Sequence, residues 1–201
     1  MKQFRLAIAV LVSVCGLAGM GDAKADNGSI VSGVNVEKSE QKKVRLYTQT
    51  AQPVDVAIID AEGHLLYRGV ASKNQKGTTS FNLNNLPDGQ YFLTASNDTY
   101  WMSQVFTING NSLTLDKNGL KQVLQPTVMA YDKNKFEVSL PANNVEEANV
   151  AIYDAQNVLV QTDTFSGAAR RFDLSALPDG AYTFIVGPSQ KQFTTRVDIK
   201  H

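Results

Sequence analysis

The chain has 201 residues, with 19 basic and 19 acidic side chains and no net charge at neutral pH. Such a balance is not the electrostatic footprint of a protein that binds nucleic acid or an anionic membrane. One cysteine and two histidines leave little material for disulfides, thiolate zinc sites or histidine-based catalysis.

The first element is a leader. Lys2 and Arg5 form a short basic start, and Ala7 to Ala18 is an apolar run too short to span a bilayer comfortably. Ala23-Lys24-Ala25 then puts small residues where a signal peptidase reads them. Residues 1–25 are therefore predicted to be a signal peptide, handled by the Sec export machinery and cleaved after Ala25. The only cysteine, Cys15, lies inside it. Val14 is larger than the residue usually found before a lipidated cysteine, so the leader reads as cleaved rather than lipidated. Taking 25 from 201 leaves 176 residues. Loss of Lys2, Arg5 and Lys24 leaves 16 basic side chains, and loss of Asp22 leaves 18 acidic ones, a net charge of −2. The mature chain holds no apolar run long enough to cross a membrane, and a thiol-free exported protein suits a bacterial periplasm or surface.

The rest of the chain repeats itself. Val54 to Leu66 aligns with Ala148 to Val160 at an offset of 94, sharing Val56/Val150, Ala57/Ala151, Ile58/Ile152, Asp60/Asp154, Ala61/Ala155 and Leu65/Leu159. Phe81 to Tyr91 aligns with Phe172 to Tyr182 at an offset of 91, so the second copy is three residues shorter in between. Each copy reads as all-β. Val54, Val56 and Ile58 alternate with Asp55 and Ala57, as a half-buried strand requires. Asp60 to Gly63 is a tight turn, with Asn157 standing for Gly63 in the second copy. Leu65 to Tyr67 starts the returning strand of a hairpin. Further strands are expected at Gly77–Leu83, Tyr91–Thr94 and Met102–Ile108, and at Arg171–Leu174, Tyr182–Val186 and Phe193–Ile199. Short strands separated by regular turns predict two tandem immunoglobulin/fibronectin-III-like β-sandwiches, residues 26–112 and 123–201, with 113–122 as linker.

Each copy carries the same corner. Leu86 and Leu177 would plug the sandwich end, and Pro87 and Pro178 pre-set the turn backbone. Asp88-Gly89 and Asp179-Gly180 complete the turn, the glycines taking a conformation other residues resist. Tyr91 and Tyr182 then begin a strand with ring buried and hydroxyl free to bond back, as in a tyrosine corner. Ordinary turn chemistry accounts for the two aspartates without a ligand.

Catalytic, cofactor and metal sites are not expected. His64 reads as a solvated hairpin residue and His201 closes the chain. Glu146 and Glu147 are neighbours in a solvated loop. Asp60 with Glu62, or Asp154 with its neighbours, offers too few oxygens for calcium. The binding candidates are Tyr100 and Trp101. Alternation puts Tyr100 with Met102 on one face and Trp101 on the other, and an exposed aromatic can stack on a sugar or anchor a partner.

At these residues the chain resembles the C-terminal sorting domain of the Por (type IX) secretion system. The resemblance lies in Ile152-Tyr153-Asp154, Leu159-Val160, Asp173-Leu174-Ser175, the run from Leu177 to Tyr182, and the last strand from Arg196 to Lys200. It also covers small exported immunoglobulin-like proteins of the same Gram-negative bacteria. The resemblance implies an immunoglobulin-like sandwich read by an outer-membrane translocon. The resulting expectation is a non-enzymatic, exported periplasmic or surface interaction protein that meets a type IX translocon, a surface protein or a glycan. The alternative is a carbohydrate-binding accessory module.

Overall fold

The computed structural model describes residues 11–13, 34–48, 52–71, 78–141 and 147–201. Cys15, the Ala23-Lys24-Ala25 cleavage site and Glu146 lie outside the described residues. The chain packs as two compact units, Met1–Asn97 with Met102–Lys121, and Asp98–Trp101 with Gln122–His201.

A short strand, β1 (Leu11–Ser13), falls within the expected leader; the strands in the first copy are β2 (Val34–Glu40), β3 (Lys43–Thr48), β4 (Val54–Asp60), β5 (Leu65–Ala71), β6 (Thr78–Asn82), β7 (Gly89–Ser96), β8 (Tyr100–Asn109) and β9 (Ser112–Leu124). Those in the second are β10 (Thr127–Asp132), β11 (Lys135–Ser139), β12 (Ala148–Tyr153), β13 (Leu159–Phe165), β14 (Ala169–Asp173), β15 (Gly180–Gly187) and β16 (Phe193–Ile199). The first copy forms sheets ordered β1-β6-β3-β2 and β5-β4-β7-β8-β9, and the second β10-β11-β14 and β13-β12-β15-β16. Setting β1 and β9 aside, the two orders are the same. Three strands face four in the antiparallel arrangement of an immunoglobulin/fibronectin-III-like sandwich.

Alternation places the core. Val54, Val56 and Ile58 on β4 are buried, as are Ala148, Val150 and Ile152 on β12 and Tyr182, Phe184 and Val186 on β15. Phe136 and Val138 on β11 and Phe172 on β14 close the second core from the opposite sheet. Phe184 is 0% exposed, and its ring lies 5.8 Å from those of both Phe136 and Phe172. The repeat extends to local irregularities. A register shift after Ile58 and another after Ile152 leave Leu66 and Val160 as the extra residues, next to the same turn. Gly63 (φ 89°) and Asn157 (φ 60°) both take the left-handed conformation this turn demands.

Two expectations are corrected. Residues 113–122 are not a linker but most of β9, a thirteen-residue strand that lies beside β8 in its sheet. The turn at Gly110 (φ 55°) sends the chain straight back along β8, and Leu113 is buried in the process. Gly89 does not adopt a restricted conformation; it opens β7, and a Cβ there would meet only Tyr91 at ordinary contact distance, 3.6 Å or more.

Burial of this extent makes the second core sensitive to truncation. Phe184→Ala removes the ring that joins the two sheets and is expected to cost about 3–5 kcal/mol. Gly89→Ala is expected to change stability by less than about 0.5 kcal/mol. Urea denaturation followed by circular dichroism measures both.

Candidate functional site: the corner and the last strand

The two corners are built alike from the backbone outwards. Leu86 N–H donates to the Leu83 carbonyl and Leu177 N–H to the Leu174 carbonyl, each at 3.0 Å. Leu86 is buried, and Leu177 packs partly buried against the second core. The chain then turns at proline, and the buried tyrosine reaches back. Tyr91 Oη donates to the Pro87 carbonyl at 2.8 Å and Tyr182 Oη to the Pro178 carbonyl at 3.0 Å. Burial, followed by the nearby Asp60, Asp88 and Glu62 carboxylates, pushes the Tyr91 hydroxyl above its ordinary pKa.

The corner aspartates do more than complete a turn. Both carboxylate oxygens of Asp88 accept the Gly110 N–H, 2.9 Å away and 22 residues on, at the end of β8. Asp179 Oδ1 accepts the His201 N–H at 2.9 Å, again 22 residues on, just past β16. In each copy the corner therefore grips the chain where it leaves the last sandwich strand. The second copy adds two clamps. Asn134, held at φ 57°, donates from Nδ2 to the Lys200 carbonyl and accepts the Lys200 N–H at Oδ1, both at 3.2 Å. His201 places Nδ1 2.6 Å from Asp179 Oδ1 and Nε2 2.8 Å from the Ser175 carbonyl. The Ser175 carbonyl and an ionised Asp179 both accept, so the doubly protonated ring is the form that satisfies both contacts. The Ser175 carbonyl, then Asp179, accordingly raise the His201 pKa above its ordinary 6.5. His201, in turn, holds the Asp179 carboxyl below its ordinary 3.8.

The last strands differ in their neighbours. β8 is covered along its outer side by β9, whereas β16 ends its sheet, and among the described residues no strand pairs with its outer edge. Thr194, Arg196 and Asp198 are exposed along β16. The aromatic candidates separate as alternation requires. Tyr100 is buried at 3% exposure, which raises its hydroxyl pKa, and Met102 is buried beside it in sequence; Trp101 remains half-buried. Tyr100 thus contributes no exposed face. The sequence pairs Asp60 with Glu62 as oxygen donors too few for calcium, and the structure adds His64 to them. Asp60, Glu62 and His64 bring one ligand atom each to within 4.8 Å of one another at the β4–β5 turn. Their spacing, every second residue through a hairpin turn, was the available signal.

A family model for the secretion system C-terminal sorting domain matches residues 30–109 and again 132–200, one stretch in each copy. The chain belongs to this family. The sorting domains in question are those of type IX secretion, and they mark exported proteins. No curated protein matches the chain. Solved structures similar to it include the BSP domain of a biofilm-associated protein (17% identity over 84% of this chain and 29% of that one, TM-score 0.30). They also include a two-domain fibronectin type III segment of chicken tenascin (10% identity over 85% and 98%, TM-score 0.30). The chain spans less than a third of the biofilm-associated protein it matches. Among the described residues, no helix is long and apolar enough to cross a membrane.

The His201 clamp gives this sorting-domain copy a pH window. Asp179 contributes fully above its ordinary 3.8 and loses its contribution as pH falls through its lowered value. His201 contributes fully below its ordinary 6.5 and loses its contribution as pH rises through its raised value. The chain end is therefore held best between about pH 4 and 6.5 and loosens above that window. An NMR titration of the His201 ring is expected to give a pKa above 6.5 in the wild type and a lower one in Asp179→Asn. Equal values would show that the contact does not form. Tyr182→Phe is expected to cost about 1 kcal/mol in urea unfolding, the worth of one hydrogen bond.

Proposed function

We propose that this is a non-enzymatic exported protein of two tandem immunoglobulin-like domains, the first closed by β9 and the second running from β10 to β16, in which the second domain alone serves as the type IX sorting or anchoring signal. The reading rests most on the difference between the two last strands. Both copies carry the family's corner, but β8 has its outer edge covered by β9, whereas among the described residues no strand covers β16, whose exit is held by Asp179 and Asn134. An outer-membrane translocon reading a folded domain needs an accessible, preorganised surface, and among the described residues the second copy offers a last strand of that kind. The first copy then acts as the cargo or spacer that reaches the periplasm or cell surface. The corners hold their polar groups in hydrogen bonds within the fold rather than aiming them at a common reacting centre. That use is structural rather than catalytic.

Fractionation and intact mass of the protein in cells that carry a type IX machine test the reading. The expected product is found outside the outer membrane with residues missing from its C-terminal side. Tyr182→Ala is expected to stop this, while Tyr91→Ala is not. An intact Asp26–His201 species confined to the periplasm would overturn the sorting role.

A further inference from the structure

The β4–β5 turn and its counterpart between β12 and β13 share one backbone design. Asp60 Oδ1 accepts the N–H groups of Glu62 and His64 at 3.1 and 2.7 Å, and Asp154 Oδ1 accepts those of Gln156 and Val158 at 2.9 and 2.8 Å. Asp60 N–H donates to the His64 carbonyl and Asp154 N–H to that of Val158, at 3.1 and 3.0 Å. The fold of the turn therefore needs neither Glu62 nor His64, since Gln156 and Val158 serve the same positions. What these two residues add is donor atoms. Asp60 Oδ2 is spent on neither backbone bond and lies 2.9 Å from His64 Nδ1, and the Glu62 carboxylate completes a trio within 4.8 Å.

The surroundings favour a cation. A cleft of about 250 Å³ adjoins the turn, lined by Asp60, Glu62 and Asp88 together with Pro87, Gln90 and Tyr91. Among the described residues, no lysine or arginine lines it. An imidazole with two carboxylates suits a borderline divalent metal such as zinc, whereas calcium selects oxygen donors alone. Three protein ligands at an exposed turn would leave further coordination positions to solvent or to a partner's side chain.

We infer that Asp60, Glu62 and His64 form a binding site for a divalent transition-metal ion, present in the first copy and absent from the second. This inference is independent of the sorting role, which rests on the other copy. The test is a titration of the purified, tag-free protein with Zn²⁺, followed by calorimetry and by backbone amide NMR shifts. One saturable site is expected, with shifts at Asp60 to His64 and Asp88 to Tyr91 and none at Asp154 to Val158. The double variant Glu62→Gln/His64→Val copies the second turn and should fold normally. It is expected to weaken binding at least about tenfold, the scale on which metal sites respond even to loss of supporting groups. His201→Ala is expected to bind as the wild type does. Absence of saturable binding at millimolar Zn²⁺, undiminished binding by the double variant, or loss of binding in His201→Ala would each overturn the assignment.

Discussion

A tyrosine hydroxyl that donates to a prolyl carbonyl four residues earlier closes each sandwich. The bond joins a turn to the strand that follows it, so the tyrosine ring enters the core at a fixed angle and the strand cannot slide. A leucine fills the space beneath the turn, and the aspartate between the proline and the strand is left facing outwards. From there it reaches the backbone 22 residues further on and ties down the exit of the last strand. Three contacts of ordinary strength thus define the strand entering the sheet, the plug of the core and the end of the domain. Each depends on the one before it.

On this shared frame the copies differ at their margins. In the first, the chain continues from the last strand through a tight turn into β9, which covers the edge of the sheet. In the second, among the described residues, the last strand stays at the edge, and the chain beyond it receives the added grip of Asn134 and His201. A covered edge protects a sheet against unwanted pairing, while an open one is free for recognition. The first copy carries its own distinction on the β4–β5 turn, where Glu62 and His64 replace the Gln156 and Val158 of the second. Both differences sit on turns or edges, where substitution leaves the core packing untouched. One fold can therefore carry two distinct surfaces.

Much of the architecture was legible from residue order alone. Alternation at Val54, Val56 and Ile58, and again at Val150 and Ile152, marks half-buried strands because side chains in an extended chain point alternately to either face. Gly63 and Asn157 mark the tight turn because few other residues accept its left-handed backbone. The repeated corner predicted the tyrosine hydrogen bond, since its partners lie only four residues apart. Residues 113–122 were misread because Asp116 to Gly119 has the composition of a turn, and the neighbouring β8 overrides that local preference by pairing with it.

Sequence by itself determined the fold class, the twofold repeat, the corner and the membership of a sorting-domain family. These follow from interactions between residues close together in the chain, or from periodicity that any strand must obey. Tertiary structure decided what the corner aspartates hold, which last strand β9 covers, that Tyr100 is buried, and that Asp60, Glu62 and His64 converge beside Asp88. Those outcomes depend on which backbone lies next to which across tens of residues, and local composition carries no record of that neighbour.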